Sequence, residues 1–180
     1  ISPEFVGSRL IRYGRNEFRN TVRGVNPEFE LMRNTIAGKG RFIDPEDMAN
    51  RKRVCFIGDV LAADLFGSEE PVGKSVFVDS VPFTVVGVMR TKLQSSNYNG
   101  QRDERCAFIP WTTYASLYGT KYVSNIIFRP RDLRRSKAVM EEVKAHLAKL
   151  VGFSPADPDA LGVWDTMEFE KQFTTFFLAF

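Results

Sequence analysis

Hydrophobic and polar residues alternate at the start of the chain, which is the pattern of half-buried β-strands. The alternation covers residues 5–13 and 17–25, and Gly14-Arg15-Asn16 between them predicts the turn of a hairpin. Arginines occupy several alternate positions, so one face of this hairpin is expected to lie in water. After the break at Asn26-Pro27, residues 28–32 predict a short helix.

The middle of the chain consists of short apolar runs separated by turn and cap residues. The predicted elements are a helical turn from Asp44, a strand over 53–58, a helix over 60–66 and a hairpin over 75–88 turned at Asp79-Ser80. Asp59 is expected to cap the helix, and Gly67 is expected to end it in a left-handed conformation. The polar segment 91–104 predicts an exposed loop.

Strands and helices alternate in the last part of the chain. The predicted elements are a strand over 106–110, a helix over 111–118, a strand over 124–129, a helix over 136–150, a strand over 161–165 and a helix over 166–180. The helix over 136–150 has the clearest pattern, with one apolar face formed by Val139, Val143, Leu147 and Leu150. The whole pattern predicts a mixed α and β domain.

Composition is that of a folded domain, because 43% of the 180 residues are hydrophobic and 26% are charged. The formal net charge of +3 comes from basic and acidic residues that are interleaved, which gives no support to nucleic-acid binding. No signal peptide is recognisable, and the longest apolar runs fall short of the roughly 18 residues that a membrane span requires. The sequence as given therefore predicts a soluble domain.

Two cysteines, Cys55 and Cys106, lie in apolar segments without CxxC or Cys/His spacing. This pattern excludes a redox motif and favours buried free thiols over a disulfide. Whether the two are bonded is left open by the sequence.

Candidate catalytic and ligand residues are few. His146 is the single histidine and is expected to be solvated on an amphipathic helix. The acid pairs Glu69-Glu70, Glu141-Glu142 and Glu168/Glu170 are typical of solvated faces. We therefore predict no catalytic, cofactor or metal site, and a chain that is not an enzyme.

A partial P-loop pattern, Gly73-Lys74-Ser75, lacks the glycine that should stand five residues earlier, because position 68 is serine. It also leads into a predicted strand, where a P-loop must lead into a helix. An ATP site is therefore excluded.

A basic cluster follows the strand over 124–129 and consists of Arg129, Arg131, Arg134 and Arg135. Such clusters are usually solvated helix starts, and an acidic partner or lipid headgroups are the alternatives.

The segment from Val54 to Val88 resembles the MacB-like periplasmic core domain of ABC transporter permeases. The resemblance lies in an apolar strand ending at Gly58, a helix closed by Leu65-Phe66-Gly67, the motif Glu70-Pro71-Val72-Gly73-Lys74 and a return strand ending in Val85-Val86-Gly87-Val88. Glu70 stands where the family usually has Asp. Weaker similarity extends over nearly the whole chain.

The resemblance implies an α+β fold with two lobes. Residues 1–40 and 120–172 would form a discontinuous porter-like βαβ lobe that lacks its first strand and helix, and residues 41–119 an inserted α/β lobe. The apolar end, Phe173 to Phe180, is typical of a terminal core helix or of a membrane helix cut short. The resemblance favours the second, so residues 173–180 would approach a membrane helix.

The function that the resemblance implies is mechanotransmission, in which ATP-driven motion of membrane helices moves a non-catalytic domain on the periplasmic, extracytoplasmic side of the membrane. Its partners would be an ABC ATPase domain or subunit, a second permease copy, and a periplasmic adaptor or the exported substrate, with no nucleic acid and no cofactor. The alternative is a free-standing extracytoplasmic module whose polar loop, residues 91–104, binds a small ligand.

Overall fold

A long hairpin at the start of the chain is the centre of the first part of the fold. The computed structural model describes residues 1–94, 101–119 and 121–165. In it β1 (Ser2–Tyr13) and β2 (Asn16–Val25) pair antiparallel from Phe5↔Gly24 to Tyr13↔Asn16. Gly14 has a φ of 58°, which supplies the left-handed residue of the turn. The predicted hairpin is confirmed.

Most of the other predicted elements also form. They are α1 (Phe29–Met32), α2 (Pro45–Ala49), β4 (Val54–Ile57), α3 (Asp59–Phe66), β5 (Ser75–Val78), β6 (Val81–Met89), β7 (Ala107–Pro110), α4 (Trp111–Tyr118), β8 (Asn125–Ile127) and α5 (Ser136–Val151). A further strand, β3 (Ala37–Gly40), was not predicted. Two 3₁₀ turns lie at Asp103–Arg105 and Leu133–Arg135. The structure thus has the mixed helix and strand content that the sequence predicts.

Six strands pair in a closed ring. The order of neighbours is β2-β7-β4-β6-β5-β1, and β1 pairs with β2 to complete the ring. The pairs β2–β7 and β4–β6 are parallel and the others are antiparallel. β3 pairs with β6 and β8 pairs with β1 outside this ring. Both edges of the hairpin are therefore used for pairing.

One face of the ring strands forms the larger hydrophobic cluster together with α3 and α4. Every ring strand contributes to it. Successive side chains in a strand point to opposite faces, so each strand can place some of its side chains in this cluster. Its strand members are Phe5, Ile11, Val22, Cys55, Ile57, Val76, Val78, Phe83, Val85, Val88, Ala107 and Ile109. Burying a large aliphatic side chain contributes about 1.5–3 kcal/mol, so this cluster is the main source of stability.

The opposite face carries a second, aromatic cluster at β4 and β7. Phe56 and Phe108 meet Phe42 with ring centroids 4.7 and 6.2 Å away, and Phe29 packs on Phe108 at 5.8 Å. Both faces of β4 are thus buried, which explains its continuous apolar run.

The start of α3 differs from the prediction. Gly58 is the N-cap residue and Asp59 is the first helical residue, so the prediction that Asp59 caps the helix was wrong. The carbonyl groups of Asp103 and Glu104 occupy the space where a Cβ at residue 58 would lie, which requires glycine there. The Asp59 carboxylate instead accepts a hydrogen bond of 2.6 Å from Thr91 Oγ1.

Contacts between Cα atoms divide the chain into two compact units, Ile1–Arg129 and Pro130–Phe180. The six-stranded ring lies in the first unit and includes strands on both sides of residue 41. The boundaries of the two lobes that we predict, at residues 41 and 119, stay a prediction.

The described part of the second unit contains α5. Val139, Val143 and Leu147 are half-buried as predicted, but Leu150 is 74% exposed, so the apolar face ends one turn earlier. The predicted strand over 161–165 was wrong. A strand needs a neighbour for its backbone hydrogen bonds, and residues 130–165 contain no other strand. The helix predicted over 166–180 lies outside the described residues.

Both cysteines are free and buried, so this preference is confirmed. Burial raises the pKa of the Cys55 thiol to about 12 and that of the Cys106 thiol to about 11.

We expect Gly24→Ala to destabilise the first unit by about 1–3 kcal/mol, because overpacking of a close contact has this cost. A Cβ at residue 24 would lie 2.6 Å from Tyr114 Cβ and 3.2 Å from Trp111 Cα on α4. Urea unfolding measures the change, and Gly162→Ala, whose Cβ would meet no atom within 4 Å, is the matched control. Equal midpoints for the two variants would contradict the packing.

We expect neither cysteine of the native protein to react with a thiol reagent at pH 8, because both thiols are buried and keep their protons at this pH. In denaturant both should react at once. Rapid labelling of Cys55 in β4, or of Cys106 just before β7, under native conditions would contradict this burial, and mass spectrometry identifies the labelled residue.

Candidate functional site

Two fully buried charges of opposite sign meet near the start of the hairpin. Glu4 on β1 and Arg23 on β2 lie on the same face of the sheet, because Phe5 pairs with Gly24 and Val6 pairs with Arg23. Arg23 Nη1 donates a hydrogen bond of 2.6 Å to Glu4 Oε1. Burial and the short distance make this a strong, charge-assisted bond.

The second oxygen of Glu4 connects this pair to another strand. Glu4 Oε2 accepts a hydrogen bond of 2.8 Å from the side-chain amide of Asn125 on β8. The backbone carbonyl of Glu4 accepts from the amide of Ser124 at 2.9 Å, and the Ser124 hydroxyl accepts from the Val6 amide at 3.0 Å. The start of β1 is therefore held against both β2 and the segment at β8.

A second buried carboxylate, Asp103, extends the cluster into the polar segment 91–104. Its Oδ2 accepts hydrogen bonds from Lys92 Nζ at 2.7 Å and from Arg33 Nη2 at 3.4 Å. Its Oδ1 lies 3.7 Å from Arg23 Nη2. Asp103 thus joins three basic side chains that lie far apart in sequence.

Lys92 shows the electrostatic balance of the cluster. Burial lowers the pKa of Lys92, and the adjacent carboxylate of Asp103 opposes this effect. The ammonium group also donates a hydrogen bond of 2.8 Å to the backbone carbonyl of Arg33. Removing a charge from water costs several kcal/mol, so such groups are retained only where partners satisfy them.

We call Glu4, Arg23, Arg33, Lys92 and Asp103 the buried charge cluster. It connects β1, β2, the segment after α1, and two points of the polar segment 91–104. Each charged side chain of the cluster contacts a partner on another of these elements, so the cluster fixes the positions of β1 and β2 relative to the other segments. The role that this arrangement supports is to connect elements of the fold.

The prediction of an exposed loop over 91–104 was wrong for Lys92 and Asp103, which the cluster draws inward. Residues 95–100 lie outside the described residues. The expectation that the hairpin arginines face water was likewise wrong for Arg23. Its partner Glu4 precedes the segment in which we recognise the alternation. The register of the hairpin puts a glutamate and an arginine on the same face, and this was the signal that could have revealed the pair.

The candidate catalytic residues in the described part of the chain are all exposed. His146 is exposed on α5, and Glu141 and Glu142 are exposed on the same helix. Glu168 and Glu170 lie outside the described residues.

The remaining acid pair, Glu69 and Glu70, forms hydrogen bonds to two separate side chains. Glu69 accepts a hydrogen bond of 2.9 Å from the Tyr13 hydroxyl, and Glu70 accepts one of 2.6 Å from Lys39 Nζ.

Gly73 leads into β5, as the exclusion of a P-loop requires. Among residues 1–94, 101–119 and 121–165 no group of three or more His, Cys, Asp or Glu side chains is placed to hold a metal ion.

Helices of the described part of the chain are all too short or too polar to cross a membrane.

Two curated proteins illustrate the sequence similarity. The macrolide export ATP-binding/permease protein MacB of Wolinella succinogenes is 30% identical over 146 residues, which are 81% of this chain and 22% of that protein. The protein of the same name from Azoarcus sp. is 30% identical over 142 residues, which are 78% of this chain and 21% of that protein. The chain therefore spans about a fifth of the length of these relatives.

Solved structures show a similar fold. The extracellular domain of the noncanonic ABC-type transporter YknZ from Gram-positive bacteria has a TM-score of 0.74 and 23% identity, over 86% of this chain and 77% of that one. The periplasmic region of MacB from Actinobacillus actinomycetemcomitans has a TM-score of 0.67 and 17% identity, over 84% and 67% of the two chains.

A family model covers most of the chain. The model of the MacB-like periplasmic core domain matches residues 1–146, which include the ring of six strands, the buried charge cluster and most of α5. The chain belongs to the family of MacB-like periplasmic core domains.

Proposed function

We propose that this chain is the extracytoplasmic domain of an ABC transporter permease and that it passes on motion without catalysing a reaction. ATP hydrolysis elsewhere in the transporter would move membrane helices, and the domain would move with them on the periplasmic side. The family membership supports the location, and the buried charge cluster is the observation that supports the mechanical role.

Transmission of motion requires that the segment which receives a force be tied to the rest of the domain. β1 is hydrogen-bonded to β2, β5 and β8, so three strands respond to its displacement. At its start the Ser2 hydroxyl accepts a hydrogen bond of 3.1 Å from the Asn26 amide, and Glu4 holds Arg23 and Asn125. A movement of Ser2 or Glu4 is therefore passed to β2 and β8.

The polar segment 91–104 receives the same movement through Asp103. Arg23 connects Glu4 on one side with Asp103 on the other, and Asp103 holds Lys92. We propose that this path carries displacement from the start of β1 to Asp103 and Lys92.

The assembly that this function needs is part of the proposal. The partners would be an ABC ATPase domain or subunit, a second permease copy, and a periplasmic adaptor or the exported substrate. Two relatives carry macrolide export in their names, so a macrolide is the first substrate to test. Residues 173–180 would lead toward a membrane helix, and the porter-like and inserted lobes would follow the boundaries given above.

A free-standing module that binds a small ligand through residues 91–104 is the other candidate. Asp103 and Lys92 satisfy each other inside the domain, so these two residues of the segment contribute to internal structure. No contact of the described residues in this segment favours a ligand site over the coupling role.

We expect Glu4→Gln to lower the free energy of unfolding by about 3 kcal/mol, because it removes the closer of the two carboxylates of buried Arg23 and leaves only Asp103 at 3.7 Å. The double variant Glu4→Gln/Arg23→Met removes both charges and should recover most of this loss. Urea unfolding of the 180-residue chain measures both. If the double variant is as unstable as Glu4→Gln alone, the remaining charge of Arg23 is not the cause of the loss, and the prediction is wrong.

The same double variant tests the proposed function in the full-length transporter. We expect ATP hydrolysis to stay within about twofold of the unmodified transporter, while macrolide export falls about tenfold, because the fold survives but the path from β1 to Asp103 is broken.

A matched control is available in the same hairpin. Arg12 and Glu17 form an exposed pair with a distance of 3.9 Å, so Glu17→Gln/Arg12→Met makes the same chemical change at the surface. This control should leave both activities unchanged. Unchanged export in the buried-pair variant, at a normal level of folded transporter, would refute the proposed path.

A further inference from the structure

A strongly basic stretch at the start of the second unit has no part in the proposed path. Residues 131–137 contain four basic side chains, Arg131, Arg134, Arg135 and Lys137, and one acid, Asp132. Arg134 is 91% exposed and Arg135 is 64% exposed. We call this stretch the basic segment. It is the most concentrated charge of one sign in the described part of that unit.

The local structure does not account for these charges. The first turn of α5 contains no acidic residue, and its N-cap residue Arg135 makes no side-chain capping bond. Cations near the start of a helix are unfavourable, because the backbone dipoles place positive charge there. The basic segment therefore opposes the helix that it precedes.

The ion pairs within the unit are also weak. Arg134 Nε and Nη2 reach the Asp132 carboxylate at 3.1 and 3.2 Å, and Arg135 Nη2 reaches Glu142 at 3.5 Å. Pairs this exposed contribute little to stability, because water and salt screen them. Their stability contribution gives no reason for a cluster of this density.

An apolar side chain lies inside the basic segment. Leu133 is 43% exposed and stands between Asp132 and Arg134 in the 3₁₀ turn Leu133–Arg135. Long basic side chains that flank an exposed leucine are the combination that binds the surface of an anionic bilayer, where the cations meet phosphate groups and the apolar group enters the interface.

We infer that residues 131–137 bind the anionic headgroups of a lipid bilayer. An acidic protein surface is the competing partner of similar charge. The exposed Leu133 among the basic side chains favours the bilayer, because an apolar side chain can enter the interfacial region there while the cations meet the phosphate groups. Arg134 and Arg135 are also exposed, so both can reach the phosphate groups of a headgroup layer.

The inference rests on the proposed function only in requiring that a bilayer be near. Each basic residue near an anionic surface strengthens binding about fivefold. We expect the 180-residue chain to bind vesicles that contain phosphatidylglycerol, to release them as salt is raised, and to ignore phosphatidylcholine vesicles. Arg131→Gln/Arg134→Gln/Arg135→Gln should lower the partition coefficient about a hundredfold in a co-sedimentation assay.

The matched control removes three exposed arginines from the first unit. Arg15→Gln/Arg19→Gln/Arg53→Gln makes the same change in net charge and should keep most of the binding. Equal losses in both triple variants would show a general charge effect and overturn the inference, as would absence of binding by the unmodified chain. Equally tight binding of soluble polyglutamate would assign the segment to an acidic protein. The assay contains no transporter, so its failure leaves the export experiment standing.

Discussion

The contact between Glu4 and Arg23 is the constraint on which the arrangement of the first unit depends. Both side chains are fully buried, and a buried charge that loses its partner costs about 3–5 kcal/mol. The register of the hairpin must therefore keep these residues on one face, because a slip of one residue would move them to opposite faces. The same register places Ile11 and Val22 in the larger hydrophobic cluster. Charge pairing and apolar burial thus require one alignment.

The cluster also explains why a segment as polar as 91–104 is tied to the sheet. Its described residues have few apolar side chains to bury, and Leu93 is fully exposed. Asp103 and Lys92 provide ionic attachment in place of apolar packing. Such attachment is directional, because hydrogen bonds to a carboxylate fix angles as well as distances. Under the proposed function, this attachment would let Lys92 and Asp103 follow a movement of β1.

Local patterns predicted most of the elements, because alternation, turn glycines and cap residues act over a few neighbouring positions. The hairpin at Gly14, the turn at Asp79-Ser80 and the helix α5 all follow from such signals. Long-range pairing was not accessible in this way. Nothing near Arg23 in the sequence indicates Asp103, and the strand predicted at 161–165 had the right composition but no partner strand within residues 130–165. The N-cap of α3 is Gly58, and glycine is required there because the carbonyl of Glu104 lies against it. Glu104 belongs to a turn that is distant in sequence, so local patterns do not reveal this contact.

The two kinds of charge in this chain have opposite physical roles. In the buried charge cluster each ionic group is surrounded by fixed partners, so its energy depends strongly on geometry and only slightly on salt. In the basic segment Arg134 and Arg135 are exposed to water, so their energy in the field of a nearby charged surface would fall as ionic strength rises. The proposed transmission of motion would need rigid internal connections, and the proposed binding to a bilayer would need contacts that adapt to a surface. Salt should therefore separate the two, because the stability of the first unit would change little over a range in which attachment through residues 131–137 is lost.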